Sequence, residues 1–145
     1  LILFSSEIEF VIINKIKMNK LIIDAANEKI FLMIITNASI YNITHENTKI
    51  NYEKLTIIIN DFLLSKNLKI ADIGVIYINI GLGSFAGIRN SMSVVKAFNV
   101  AKNIDYYCYN LHDFKDEKDL SYESIPNLCK KYKIKKNLIN PIYIS

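Results

Sequence analysis

The stretch Ile76-Tyr77-Ile78-Asn79-Ile80-Gly81-Leu82-Gly83-Ser84-Phe85-Ala86-Gly87-Ile88-Arg89 decides how this chain is read. A run of β-branched and aromatic residues meets a glycine-rich bend, and an amphipathic helical pattern starts straight after it. Of the 4 glycines in the protein, Gly81, Gly83 and Gly87 all fall in this bend. A strand that becomes a helix within a few residues needs positive φ or close backbone approach, and glycine permits both. The helix start presents free N–H groups and a partial positive charge. The loop is therefore a tight strand-to-helix connection, or that and a binding loop as well.

Working outward, residues 73–80 are nearly all apolar, the pattern of a central strand buried on both faces. Residues 87–103 read as a helix with a narrow polar stripe of Arg89, Ser93, Lys96 and Asn103. Ile88, Met92, Val94, Val95, Ala97, Phe98 and Ala101 fill most of the remaining surface. A helix apolar over more than half its circumference is buried against more than one neighbour, and in a small protein one neighbour can be another chain. Residues 51–67 form an earlier helix, with Leu55, Ile58, Ile59, Phe62 and Leu63 as its core stripe. Ile57 and Leu64 make a second apolar seam on its polar side, either incidental or a partner surface. Strands are expected at 21–24, 30–36 and 39–44, an antiparallel meander, and at 105–109. Beyond Asn110 the pattern weakens. Residues 122–132 read as a helix broken near Pro126, and 141–144 as a last strand or an extended tail.

The 145 residues, 51% hydrophobic and 22% charged, fit one globular domain with a real core and exclude a disordered chain. The net charge of +4 is mild and gathers in Lys130, Lys131, Lys133, Lys135 and Lys136. Such a cluster is a solvated face or a nucleic-acid contact. Cys108 and Cys129 fit no zinc or CxxC spacing and read as reduced thiols of a cytoplasmic protein, while His45 and His112 form no metal-binding pair. No metal ligand set is expected. Residues 1–17 are apolar but interrupted by Glu7 and Glu9, lack a basic start and a cleavage site, and are too short in their apolar runs to span a bilayer. The more regular pattern from Met18 predicts a translation start there, leaving 1–17 an untranslated or loose extension.

Three strands, a helix, a central strand, a second helix and a fifth strand give the β-β-β-α-β-α-β order of a ribonuclease-H-like half-domain, the actin-like ATPase (ASKHA) architecture. The expected fold is thus α/β, a mixed five-stranded sheet with helices packed on it. Folds of this kind place a carboxylate at the end of the first strand, and Asp24 stands there. An ATP-handling version also needs a glycine hairpin next, where this chain has Asn27-Glu28, and Glu28 would repel phosphate. Asp24 therefore reads as structural or vestigial. Gly81-Leu82-Gly83-Ser84-Phe85-Ala86 matches GxGxxG/A formally, but it follows the fourth strand rather than the first and lacks the acidic residue at the next strand's end. Ser84 has no neighbouring histidine or nucleophile-elbow context.

The nine residues Gly81-Leu82-Gly83-Ser84-Phe85-Ala86-Gly87-Ile88-Arg89 resemble the GPGSFTGLR signature of the bacterial TsaB (YeaZ) family. Leu21-Ile22-Ile23-Asp24-Ala25-Ala26 resembles that family's opening strand, Lys96-Ala97 its AKGLA segment, and Pro141-Ile142-Tyr143 its P-x-Y. The resemblance covers 18–112 well and later residues only patchily. Leu82, Ala86 and Ser91 depart from the signature's proline, threonine and glycine.

The resemblance implies a ribonuclease-H-like domain over 18–112, with a short tail over 113–145 in place of a second half-domain. It implies a non-catalytic scaffold or activator that pairs with the TsaD-type catalytic subunit, joined by a TsaE-type ATPase, for threonylcarbamoylation of transfer RNA. ATP or ADP and metal would then sit on the partners, and transfer RNA would be met indirectly. Gly81, Gly83, Ser84, Phe85, Gly87 and Arg89 would form the signature loop. Ile57, Leu64, Met92, Val95 and Lys96 would form the seam, which could also serve a homodimer. Two other readings stay open: a small nucleotide-binding or glycoprotease-like enzyme, and a transfer-RNA-binding module built on Lys130 to Lys136 with Tyr132.

Overall fold

The computed structural model describes residues 18–139. Five strands, β1 (Lys20–Asp24), β2 (Lys29–Ile35), β3 (Ile40–Glu46), β4 (Val75–Asn79) and β5 (Asp105–Tyr109), make one sheet in the order β3-β2-β1-β4-β5. β1, β2 and β3 run antiparallel, whereas β4 lies parallel to both β1 and β5. This is the mixed α/β sheet that the sequence predicts, with a meander on one side and crossover connections on the other.

Alternation along the strands sorts the core into two faces. Leu21, Ile23, Ile30, Leu32, Ile34, Ile76 and Ile78 point to one face. There α2 (Leu55–Ser65) supplies Leu55, Ile59, Phe62 and Leu63, and α3 (Phe85–Lys102) supplies Ile88, Met92, Val95 and Phe98. Ile22, Met33, Tyr77 and Tyr109 point to the other face, against Phe114, Ile125, Leu128 and Cys129. The last three belong to α4 (Ile125–Lys131). Residues 114–134 thus form a third layer that covers the second sheet face.

Several boundaries differ from expectation for local reasons. The helix expected over 51–67 is two pieces, α1 (Lys49–Glu53) and α2. Thr48 caps the first, and Lys54, at ψ 17°, interrupts the ladder by bonding back to the Asn51 carbonyl. Pro126 does not break the last helix. It sits in the first turn of α4, where no N–H is required and its fixed φ is already helical. Asn103 ends α3 in the left-handed conformation, at φ 55°. The expected segment 141–144 and the extension 1–17 lie outside the described residues.

Candidate functional site

In a sheet of this kind the carboxyl ends of the parallel strands are where ligands and partners gather. Here β1 ends in Asp24, β4 in Asn79, and the glycine loop leaves β4 to start α3. Asp24 is buried, 2% exposed, and its oxygens are committed. Oδ1 accepts from the Ala26 N–H at 3.0 Å, and Oδ2 accepts from Asn79 Nδ2 at 3.1 Å and from the Tyr122 hydroxyl at 2.8 Å. The Asn27 amide adds two longer contacts at 3.4 Å. A carboxylate held by donors in this way is an anchor between β1, β4 and the C-terminal layer. Burial, and then the Asp24 charge and hydrogen bond, push the Tyr122 hydroxyl's pKa up. Tyr122 therefore remains a donor at any physiological pH. Its ring stacks on Phe31, with centroids 3.8 Å apart.

The glycine loop is organised around the β1–β2 hairpin. Its glycines do not adopt positive φ; close approach is the reason for them. A Cβ on Gly83 would lie 2.1 Å from the Ala26 carbonyl oxygen, and one on Gly87 would lie 2.1 Å from that of Ala25. A Cβ on Gly81 would lie 2.7 Å from Asn110 Cβ, a less severe clash. The loop's amides turn inward as well. Gly81 N–H donates to Asn79 Oδ1, Ser84 N–H to the Ala26 carbonyl and Gly87 N–H to Ser84 Oγ, at 2.8, 2.8 and 3.1 Å. These three donors are spent on the protein itself, so Ser84 serves as the N-cap of α3. From the other side Asn47 Nδ2 donates to the Ala25 and Asn27 carbonyls at 2.8 and 2.7 Å. Its Oδ1 is buried without a hydrogen-bond partner among the described residues. An open cleft of about 810 Å³ lies beside this clamp, lined by Asn27, Glu28, Lys29, Phe31, Asn47, Ser84 and Tyr122.

The residues expected at a partner seam divide. Ile57 and Leu64 are 58% and 59% exposed on α2, and Lys96 is exposed on α3. Met92 and Val95 are not available, because both are buried in the first core, at 9% and 2% exposure. The two helices pack on the same sheet face, so the apolar surface that α3 leaves outward is Ala97, Val100 and Ala101 instead. Phe85 and Arg89 are exposed at the start of α3. Asn79, Asn47, Phe31 and Tyr122 escaped the sequence reading. Asn79, a lone amide closing an apolar strand, was the one with a visible signal.

Among the described residues no three His, Cys, Asp or Glu side chains converge as metal ligands, and no helix is long and apolar enough to cross a membrane. No family model and no curated protein matches the chain. Solved structures do. One is YeaZ from Pseudomonas aeruginosa, and another is described as an uncharacterized protein with similarity to peptidase YeaZ from Pseudomonas aeruginosa. Each is 16% identical with a TM-score of 0.59, over 63% of this chain and 43% of the other. The chain therefore spans less than half the length of those structures. Across the part that superposes, this protein has the YeaZ fold.

Proposed function

We propose that this chain is a non-catalytic subunit of the TsaB (YeaZ) kind. It dimerises with a TsaD-type catalytic subunit, with a TsaE-type ATPase joining, for N6-threonylcarbamoylation of the adenosine beside the transfer-RNA anticodon. The observation that carries this reading is the state of Asp24. The strand-end carboxylate that would handle metal or phosphate is enclosed by Asn79, Tyr122 and the Ala26 amide. The glycine loop supports it, since its shape serves the hairpin and its Ser84 hydroxyl caps a helix. A nucleotide-binding or glycoprotease-like enzyme would need those groups free. Nucleotide and metal then belong to the partner subunits, and the chain works in the cytoplasm.

The docking seam is the outer surface of the helical layer, with Ile57 and Leu64 on α2 and Lys96, Ala97 and Val100 on α3. Apolar side chains this exposed at helical spacing fit a surface covered by a partner helix. The test is co-purification with the TsaD homologue of the same genome. A one-to-one complex is expected from the unaltered chain and its loss from Leu64→Asp, whose circular dichroism stays native because Leu64 is outside the core. A complex that survives Leu64→Asp discards the seam and keeps the pairing. No complex at all discards the scaffold reading and brings the enzyme reading forward.

A further inference from the structure

A second groove, of about 540 Å³, opens on the opposite sheet face from α2 and α3, beside α4. Tyr77 and Tyr107 line it, their rings stacked at 5.4 Å and 13° on neighbouring strands β4 and β5. Lys20, Lys130 and Lys133 line it too, and among the described residues no carboxylate does. Other lysines of the C-terminal cluster are neutralised: Lys131 pairs with Glu117 at 2.5 Å and Lys136 with Asp105 at 3.7 Å. Glu117 also holds the Tyr132 hydroxyl at 2.9 Å. Of the basic set expected from sequence, Lys131 and Lys136 are thus paired, while Lys20, outside that set, joins Lys130 and Lys133 at the groove, and these three form no ion pair among the described residues. Lys130 alone could be explained as a cation in the last turn of α4. That does not explain Lys20, which opens β1, or Lys133, which follows α4 in a left-handed conformation at φ 55°.

We infer that this groove is a binding site for single-stranded nucleic acid, whose phosphates meet Lys20, Lys130 and Lys133 while a base stacks on Tyr107, whose ring is backed by the buried Tyr77. Uncompensated cations supply a sequence-independent attraction for the backbone, and an aromatic platform supplies a contact that every base can make. This site lies apart from both the glycine loop and the helical seam, so a chain docked through that seam would keep it open.

Fluorescence anisotropy with a short labelled oligouridylate tests it across a salt series. Three phosphate contacts predict a log–log salt slope of roughly −2. Lys130→Gln with Lys133→Gln is expected to weaken binding about tenfold, whereas Lys49→Gln with Lys102→Gln, an equal charge change on α1 and α3, stays within about twofold. Tyr107→Leu is expected to weaken binding about fivefold or more, with Tyr107→Phe close to the unaltered protein. Equal losses from both lysine pairs would overturn the site in favour of general charge attraction. Unchanged affinity in Tyr107→Leu, equal affinity for inorganic polyphosphate, or no binding at low salt would each overturn it as well.

Discussion

Gly87→Ala separates two accounts of the glycine loop because they predict opposite signs. Gly87 is the third residue of α3 and its φ is not positive, so helix propensity alone would reward alanine by up to about 1 kcal/mol. The structure opposes this. The new methyl carbon would sit 2.1 Å from the Ala25 carbonyl oxygen and 3.0 Å from Asn47 Nδ2, which itself donates to that oxygen at 2.8 Å. Both obstacles belong to the hairpin clamp, and one is backbone, so the helix start must back away. Overpacking of this kind costs about 1–3 kcal/mol. Lengthening the Asn47 hydrogen bond adds about 0.5–1.5 kcal/mol. After the full propensity gain is subtracted, a net loss of about 0.5–3.5 kcal/mol remains. That corresponds to a fall in melting temperature of roughly 2–12 °C for a domain of this length. Thermal melts by circular dichroism, paired with urea titrations of unchanged slope, read it directly. A melting temperature equal to or above that of the unaltered protein would refute the packing account and return the loop to ligand binding.

The remaining predictions concern the second core and its anchor. Tyr122→Phe keeps the stack on Phe31 but takes one donor from buried Asp24, and urea denaturation should show a loss of about 1.5–3 kcal/mol. Tyr109→Phe should be neutral or stabilising by up to about 1 kcal/mol, read as an unchanged or higher urea midpoint, since the buried Tyr109 hydroxyl lacks a hydrogen-bond partner among the described residues. Burial pushes the Cys108 and Cys129 thiols from 9.0 up to about 12, so a thiol reagent at pH 8 should label neither until urea is added. The same shifts favour the protonated native state. Their contribution is complete below pH 9.0 and is lost as pH rises toward about 12, so the urea midpoint should fall across that window.

The sheet was legible because its strands are short β-branched and aromatic runs bounded by turn residues, and the nearly all-apolar residues 73–80 fit a central strand. The strand-end position of Asp24 followed from the same order, whereas the packing of the glycine loop on the Ala25–Ala26 turn beside it did not. Burial on α3 was misjudged at Met92 and Val95. A wheel shows that a helix has too much apolar surface, but not which part its own sheet takes. The C-terminal layer was the least legible. Pro126 looked like a breaker because its place in the first turn depends on where the helix starts. The Tyr122–Asp24 bond joins residues 98 apart and leaves no local pattern. The basic groove, likewise, depends on Glu117 and Asp105 neutralising particular lysines, which charge counting along the chain could not assign.

That long-range bond also sets an order of events during synthesis. β1 through β5 and their helices emerge first and can close the first core, yet Ile22, Met33 and Tyr77 stay uncovered until Phe114, Ile125 and Leu128 leave the ribosome. At roughly 5–20 residues per second, that last layer trails β5 by one to several seconds. Throughout this interval the nascent chain carries an apolar sheet face and a buried-type carboxylate without its tyrosine donor. Exposed apolar surface of this kind is aggregation-prone, so a ribosome stalled just past β5 would hold the chain in that vulnerable form.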